Sequence, residues 1–223
     1  MTNGHFGLDR ASAERVLNKL WNDPERPPWD VRASRIEHQK VAFLEPWLAG
    51  RRRVLDAGCG GGDFLDLVVN RTGAKFEHVV GADVADGALV RARKTGRYAE
   101  LVQSHLEDLP GKIAGERFDL VLLSDVLSHV ADYVRALAAL VPLVDEGGVF
   151  FVSLGMGKKY FVDRDLLAIR SFVGTAGLRV VAEAELDYEV LGLPRRLVPL
   201  HDTLWPQTHK RLLLFRREPK TAG

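Results

Sequence analysis

The segment Val54-Leu55-Asp56-Ala57-Gly58-Cys59-Gly60-Gly61-Gly62-Asp63-Phe64 sets an acid two residues ahead of three alternating glycines, Gly58, Gly60 and Gly62. Glycines permit positive φ and let a ligand approach the backbone closely. A second acid, Asp83, ends the run Val79-Val80-Gly81-Ala82-Asp83-Val84, and one carboxylate has acceptor capacity for two hydroxyls. Three histidines offer proton acceptors near neutral pH: His129, His201 and, less suited, His209. Asp125 has three readings: it orients a histidine, holds a substrate amine or caps a helix. Cys59, the single cysteine, excludes an internal disulfide framework and a Cys-rich zinc site. Inside the glycine turn it reads as a tolerated small residue rather than a nucleophile.

Two ligand classes suit such a turn, a dinucleotide and S-adenosylmethionine. The dinucleotide fingerprint G-x-G-x-x-G/A, begun at Gly58, ends on Asp63. A carboxylate there, with Asp56 opening the loop, repels a pyrophosphate at a helix N-terminus. S-adenosylmethionine carries an ammonium and a sulfonium beside its carboxylate, and Asp56 suits that cation.

The elements that must position these groups follow from periodicity. Short apolar runs at Arg53 to Asp56, His78 to Asp83, Glu100 to Gln103, Phe118 to Ser124 and Gly148 to Ser153 alternate with helical segments, which predicts βαβ units and a parallel sheet. Val130, Val134, Leu137, Ala138 and Val141 mark one crossover helix, and Asp163 caps another running to about Ala176. Arg179 to Val190 and Lys210 to Arg217 read as two further strands, antiparallel because no crossover helix separates them. Before the sheet, Val16, Leu17, Leu20 and Trp21 give one helical face. Ser34-Arg35-Ile36-Glu37 has capping-box spacing ahead of a stripe of Ile36, Phe43, Leu44, Trp47 and Leu48. The expected architecture is α/β: a Rossmann-like, mostly parallel seven-stranded sheet with an antiparallel last strand. Residues 1–50 form a helical N-terminal lid, 51–217 the ligand-binding domain and 218–223 a tail.

From about Arg53 to Gly155 the chain resembles the class I S-adenosylmethionine-dependent methyltransferases, on four features in order. These are the Asp56 glycine loop, the strand ending in Asp83, the segment Leu106-Glu107-Asp108-Leu109-Pro110, and Phe118-Asp119-Leu120-Val121-Leu122-Leu123-Ser124-Asp125-Val126-Leu127-Ser128-His129-Val130. The resemblance implies S-adenosyl-L-methionine as methyl donor and S-adenosyl-L-homocysteine as product. It also implies cofactor contacts from Asp56, Gly58, Cys59, Gly60, Asp83, Val84, His105, Leu106 and Ser124. Asp83 would take the ribose hydroxyls, and Ser124 and Asp125 would lie beside the methionine part. The third feature departs from the family: His105 stands where many members have an Asp facing the adenine amino group. Leu106 then offers adenine its backbone N–H. The implied activity is transfer of a methyl group to an O or N atom, with His129, Asp125 and His201 as candidate catalytic residues.

The acceptor is bounded by exclusion. Ser124-Asp125-Val126-Leu127 does not match the Asn/Asp-Pro-Pro-aromatic run of methyltransferases acting on nucleic-acid amino groups. Cys59 is in the wrong loop for C5 chemistry, and no acidic and amide set suits a magnesium-dependent catechol type, so no metal is expected. Lys plus Arg is 31 against 30 for Asp plus Glu, which removes overall charge as a means of binding a polyanion. Arg51-Arg52-Arg53 reads as a solvated junction, and Arg195-Arg196 as a pair that an anionic acceptor would meet. A small-molecule acceptor leads, enclosed by Trp21, Trp29, Tyr188, Leu193 and Trp205, while Trp47 reads as packing. Pro28-Trp29-Asp30 with Ser34, Glu37 and Lys40 is similar to the lead-in of nodulation-factor-type N-methyltransferases, without fixing the acceptor. RNA or protein methylation, and a non-catalytic binding module, are the alternatives. No signal-peptide stretch and no apolar run of about 18 residues is present, so a cytoplasmic protein without membrane or nucleic-acid partners is expected, with a homodimer allowed.

Overall fold

The computed structural model describes residues 34–156, 161, 163–187 and 209–218, with Ala11 and Arg15. Seven strands form one sheet: β1 (Arg53–Ala57), β2 (His78–Asp83), β3 (Glu100–Gln103), β4 (Phe118–Ser124), β5 (Val144–Met156), β6 (Leu178–Asp187) and β7 (His209–Arg217). Their order is β3-β2-β1-β4-β5-β7-β6. The pairs β1·β2, β2·β3, β1·β4 and β4·β5 are parallel, whereas β7 runs antiparallel to both neighbours. Strand order therefore reverses between β1 and β4, the place where such sheets open a ligand crevice at their carboxyl edge.

Helices cover both faces, which is why β1 and β4 are buried along most of their length. On one face α1 (Arg35–Leu44) and α2 (Asp63–Thr72) bury Val41, Leu44, Phe64 and Leu65 against Val54, Leu120, Phe151 and Leu212. On the other, α4 (Leu109–Lys112), α5 (Tyr133–Leu140) and α6 (Asp163–Thr175) bury Leu109, Leu137 and Ile169 with Leu55, Val121, Phe150 and Phe215. Helix α3 (Asp86–Lys94) seats Leu89 and Ala92 beside Cys59. Phe64 stacks on Phe151 with ring centroids 6.0 Å apart, which ties the first turn after the glycine loop to the sheet.

Two local expectations are corrected. Ser34 is the N-cap of α1 but makes no side-chain cap bond, and Glu37, the other member of the expected box, turns inward to Lys40 at 2.6 Å. The buried face of α1 is accordingly Glu37, Lys40, Val41 and Leu44, so two charged residues displace part of the apolar stripe. Strand β5 begins at Val144, earlier than Gly148, and carries a register shift opposite Phe118/Leu120 that accommodates the extra length. The Arg51–Arg53 run is, as expected, a solvated junction with Arg52 and Arg53 exposed, and it is also pinned. Arg51 donates to the carbonyls of Trp47 and Gly147 (each 3.1 Å), and the Arg52 and Arg53 backbone N–H groups donate to Asp119. The expected enclosing residues Trp21, Trp29, Tyr188, Leu193 and Trp205, and the Arg195-Arg196 pair, lie outside the described residues. Among the described residues no helix is long and apolar enough to cross a membrane.

Candidate functional site

The loops that follow β1, β2, β3 and β4 converge on one edge of the sheet, and each carries a residue singled out by the sequence. After β1 the chain turns on Gly58, Gly60 and Gly62, with φ of 76°, 53° and 80°. These values favour glycine. The turn is closed by Gly58 and Cys59 N–H groups donating to Ala82 O, at 2.7 and 2.9 Å. A Cβ on Gly58 would stand 2.4 Å from Val126 Cγ2, so this glycine also admits the turn after β4. Gly62 is the N-cap of α2, whose first turn bears Asp63 and Asp66. Acids there suit the helix dipole and disfavour a bound phosphate.

Asp83 holds this loop by its carboxylate. One oxygen accepts from Gly60 N–H and the other from Ala85 N–H, each at 2.9 Å. Val84 N–H is a third backbone donor to this carboxylate, and the acceptor capacity that remains can meet a ribose hydroxyl. Burial raises its pKa, and the backbone donors oppose that rise. Val84 follows, its carbonyl fixed by Gln103 at 3.1 Å. After β3, Ser104 is buried and donates to His105 O at 2.8 Å, which orients the turn carrying His105 and the buried Leu106.

Asp56 is buried and accepts a 2.7 Å hydrogen bond from the Tyr98 hydroxyl. Burial lifts its pKa to about 7, Tyr98 and Lys40 opposing and Asp83 adding to the rise. Cys59 is buried too. Burial, then Asp56 and Asp83, push its thiol well up, so it stays protonated and is unsuited to nucleophilic attack.

After β4 the chain passes through Ser124 into Asp125, the one non-glycine described with positive φ (62°). Asp125 does not cap a helix. Its Oδ2 accepts from Lys40 at 2.9 Å and from Lys210, and its Oδ1 accepts from Ser153 at 2.8 Å. Two lysines hold its carboxyl well below the usual range, against the effect of burial. Lys40 also lies 4.5 Å from the centre of the Phe64 ring. His129 sits in the one-turn helix Leu127–His129, its N–H donating to Val126 O at 2.8 Å. Burial lowers its pKa, so it is neutral and able to accept a proton at pH 7. His201 lies outside the described residues. Among the described residues no group of three His, Cys, Asp or Glu side chains is arranged to hold a metal ion.

Sequence reasoning missed Tyr98 and Lys210, and it named Lys40 only in the similarity of the lead-in, with no place in the site. Only Gly81, an isolated glycine within a strand, signalled that a side chain had to approach the backbone closely; its Cβ would meet the Tyr98 ring at 2.7 Å.

This sheet order, with an acid-led glycine loop after β1 and an acid at the end of β2, defines a nucleoside-binding α/β fold of the methyltransferase type. A methyltransferase domain family, Methyltransf_11, matches residues 55–152. The ubiquinone biosynthesis O-methyltransferase of Bordetella avium is 36% identical over 168 residues, 71% of this chain and 66% of that protein. Across the curated relatives of that name the match spans between 38% and 66% of their length. Among solved structures, the N-methyltransferase NodS of Bradyrhizobium japonicum superposes with a TM-score of 0.69 at 16% identity, over 93% of this chain and 99% of that one. The magnesium protoporphyrin IX methyltransferase of Synechocystis gives 0.63 at 19%, over 95% and 98%. The matched domain at residues 55–152, the relatives and the fold together support a class I S-adenosylmethionine-dependent methyltransferase. Its donor set fits that cofactor: Asp56 for a cation and Asp83 for a diol, on either side of the glycine turn.

Proposed function

We propose that the protein transfers a methyl group from S-adenosyl-L-methionine to a hydroxyl oxygen of a small-molecule acceptor in the cytoplasm. The supporting observation is the convergence of Asp56, Gly58, Gly60, Asp83, Leu106 and Ser124 on loops of one sheet edge, with His129 on the loop after β4. The O-methyltransferase relatives favour oxygen over nitrogen as the methylated atom.

When bound, the cofactor supplies a methyl carbon already activated by a sulfonium. The chain's residues bind, orient and exclude water, and such alignment supplies roughly 7–11 kcal/mol in favourable cases. Asp56 takes the ammonium, Gly58, Cys59 and Gly60 line the methionine side, and Asp83 with Val84 takes the ribose. His105 and Leu106 flank adenine, and Ser124 lies beside the methionine part. His129, neutral at pH 7, removes the acceptor's hydroxyl proton, a role worth typically 10²–10⁴-fold. Asp125, already held by two lysines, acts by fixing the turn that carries His129. His201 is the second candidate base, and residues 1–50 contribute α1 as a wall of the site.

Titration with S-adenosylhomocysteine followed by transfer from labelled S-adenosylmethionine into pools of hydroxylated small molecules, RNA and protein tests this reading. Binding with label in the small-molecule pool is expected. Label in RNA or protein alone moves the acceptor class, binding with no transfer favours a non-catalytic module, and no binding overturns the reading.

A further inference from the structure

Tyr98 lies between α3 and β3, outside every motif of the fold, yet it reaches the centre of the site. Its ring fills a slot opened by two glycines from different elements. A Cβ on Gly81 of β2 would fall 2.7 Å from Tyr98 Cδ1 and Cε1, and one on Gly62 of the loop 2.9 Å from Cε2. The ring also packs against the Cys59, Leu89 and Ala92 cluster. At the end of the slot its hydroxyl donates to Asp56 Oδ2 at 2.7 Å. Burial and the neighbouring Asp56 push the phenol's pKa well up, so it remains a donor at any pH the fold experiences.

We propose that Tyr98 is a positioning residue of the cofactor pocket: it supports the glycine loop from beneath and holds the Asp56 carboxyl so that capture of the cofactor's ammonium releases a proton. The inference rests on the cofactor reading above. Near neutral pH about half of the Asp56 carboxyls are protonated, since burial brings this group to about 7. The ammonium pairs with the carboxylate form, and the displaced proton leaves to solvent. The groups facing Asp56 are Tyr98 from the α3–β3 connection, Asp83 at the end of β2 and Lys40 of α1. Cys59, on the loop itself, remains a neutral thiol. Of these, Tyr98 is the one that donates a hydrogen bond directly to the carboxyl.

S-adenosylhomocysteine binding to the whole chain, by calorimetry from pH 5.5 to 8.5 in buffers of differing ionisation heat, measures affinity and protons released together. Wild type is expected to lose about tenfold in affinity from pH 8 to pH 6 and to release about half a proton at pH 7. Tyr98→Phe keeps the ring and removes the bond that favours the carboxylate. Its midpoint should move up by about one pH unit, its affinity at pH 7 fall severalfold to tenfold, and its proton release approach one. Asp56→Asn should bind weakly, with a flat pH profile. Thermal melts confirm that each variant is folded, and the Tyr98→Phe shift in midpoint is a readout that lost packing alone does not move. A wild type that binds without pH dependence or proton release overturns the proposal, as does a Tyr98→Phe midpoint equal to wild type. A wild type that fails to bind at every pH instead overturns the cofactor reading.

Discussion

Lys40 of α1 and Lys210 of β7 donate to the same oxygen of Asp125. Both ammonium groups are buried, Lys40 pairs in addition with Glu37, and Ser153 of β5 satisfies the other Asp125 oxygen. One carboxylate after β4 thus fastens the N-terminal helix and the antiparallel strand to the turn of the site.

Removal of that carboxylate takes from two buried cations the acceptor they share. Asp125→Ala should destabilise by about 3–5 kcal/mol in urea unfolding. Asp125→Gly removes the same charge but relieves a backbone φ of 62° and should recover about 1 kcal/mol relative to Ala. Equal stabilities would show that the turn is not strained.

Gly58 and Gly50 share a φ of 76°, yet only at Gly58 would a Cβ meet a neighbour, Val126 at 2.4 Å. Gly50→Ala should cost about 1 kcal/mol and leave S-adenosylhomocysteine affinity intact. Gly58→Ala should cost more and weaken binding at least tenfold, because the loop and the turn after β4 must separate. Melting curves with and without the ligand distinguish the two.

Asp56 works against the unliganded fold. Its folded pKa is raised, from 3.8 to about 7, so the folded state holds the proton more tightly and stability falls as pH rises across that interval. At pH 8 the ionised carboxylate costs about 4 kcal/mol, at pH 5 under about 2. Asp56→Asn should therefore stabilise the ligand-free protein at pH 8, with a smaller gain at pH 5, while weakening cofactor binding. Urea titrations at the two pH values check the sign.

His129 has its pKa lowered by burial, with Asp125 opposing and Lys210 reinforcing the shift. The acidic limb of kcat for a hydroxyl acceptor should lie below the ordinary histidine value of 6.5. His129→Gln should lower kcat by about 10²–10⁴-fold and leave the KM for S-adenosylmethionine unchanged. A KM effect without a kcat effect would assign His129 to holding the turn.

The glycine loop, Asp83 and the first four strands were legible because each is a local pattern: an apolar run, a turn and a polar residue at its end. The mixed sheet was legible too, since Arg179 to Arg217 carries no crossover helix pattern. The lysines were not. Helical spacing puts Lys40 on the same face as Ile36, Phe43 and Trp47, but what lets a lysine stay buried there is a carboxylate far away in the chain, which no local pattern shows. Tyr98 was hidden for the same reason, its partner lying on β1 and its slot being cut by glycines on two other elements.

The position of β7, between β5 and β6 although last of the strands in chain order, sets the sequence of events in folding. Until β7 is inserted, β5 presents a bare edge along Val149–Met156 and β6 has no neighbour to pair with. Asp125 meanwhile has only Lys40 of its two cations. Synthesis from the first strand onward therefore yields an incomplete intermediate with an adhesive flank, and one strand both seals that flank and delivers the second lysine to the site.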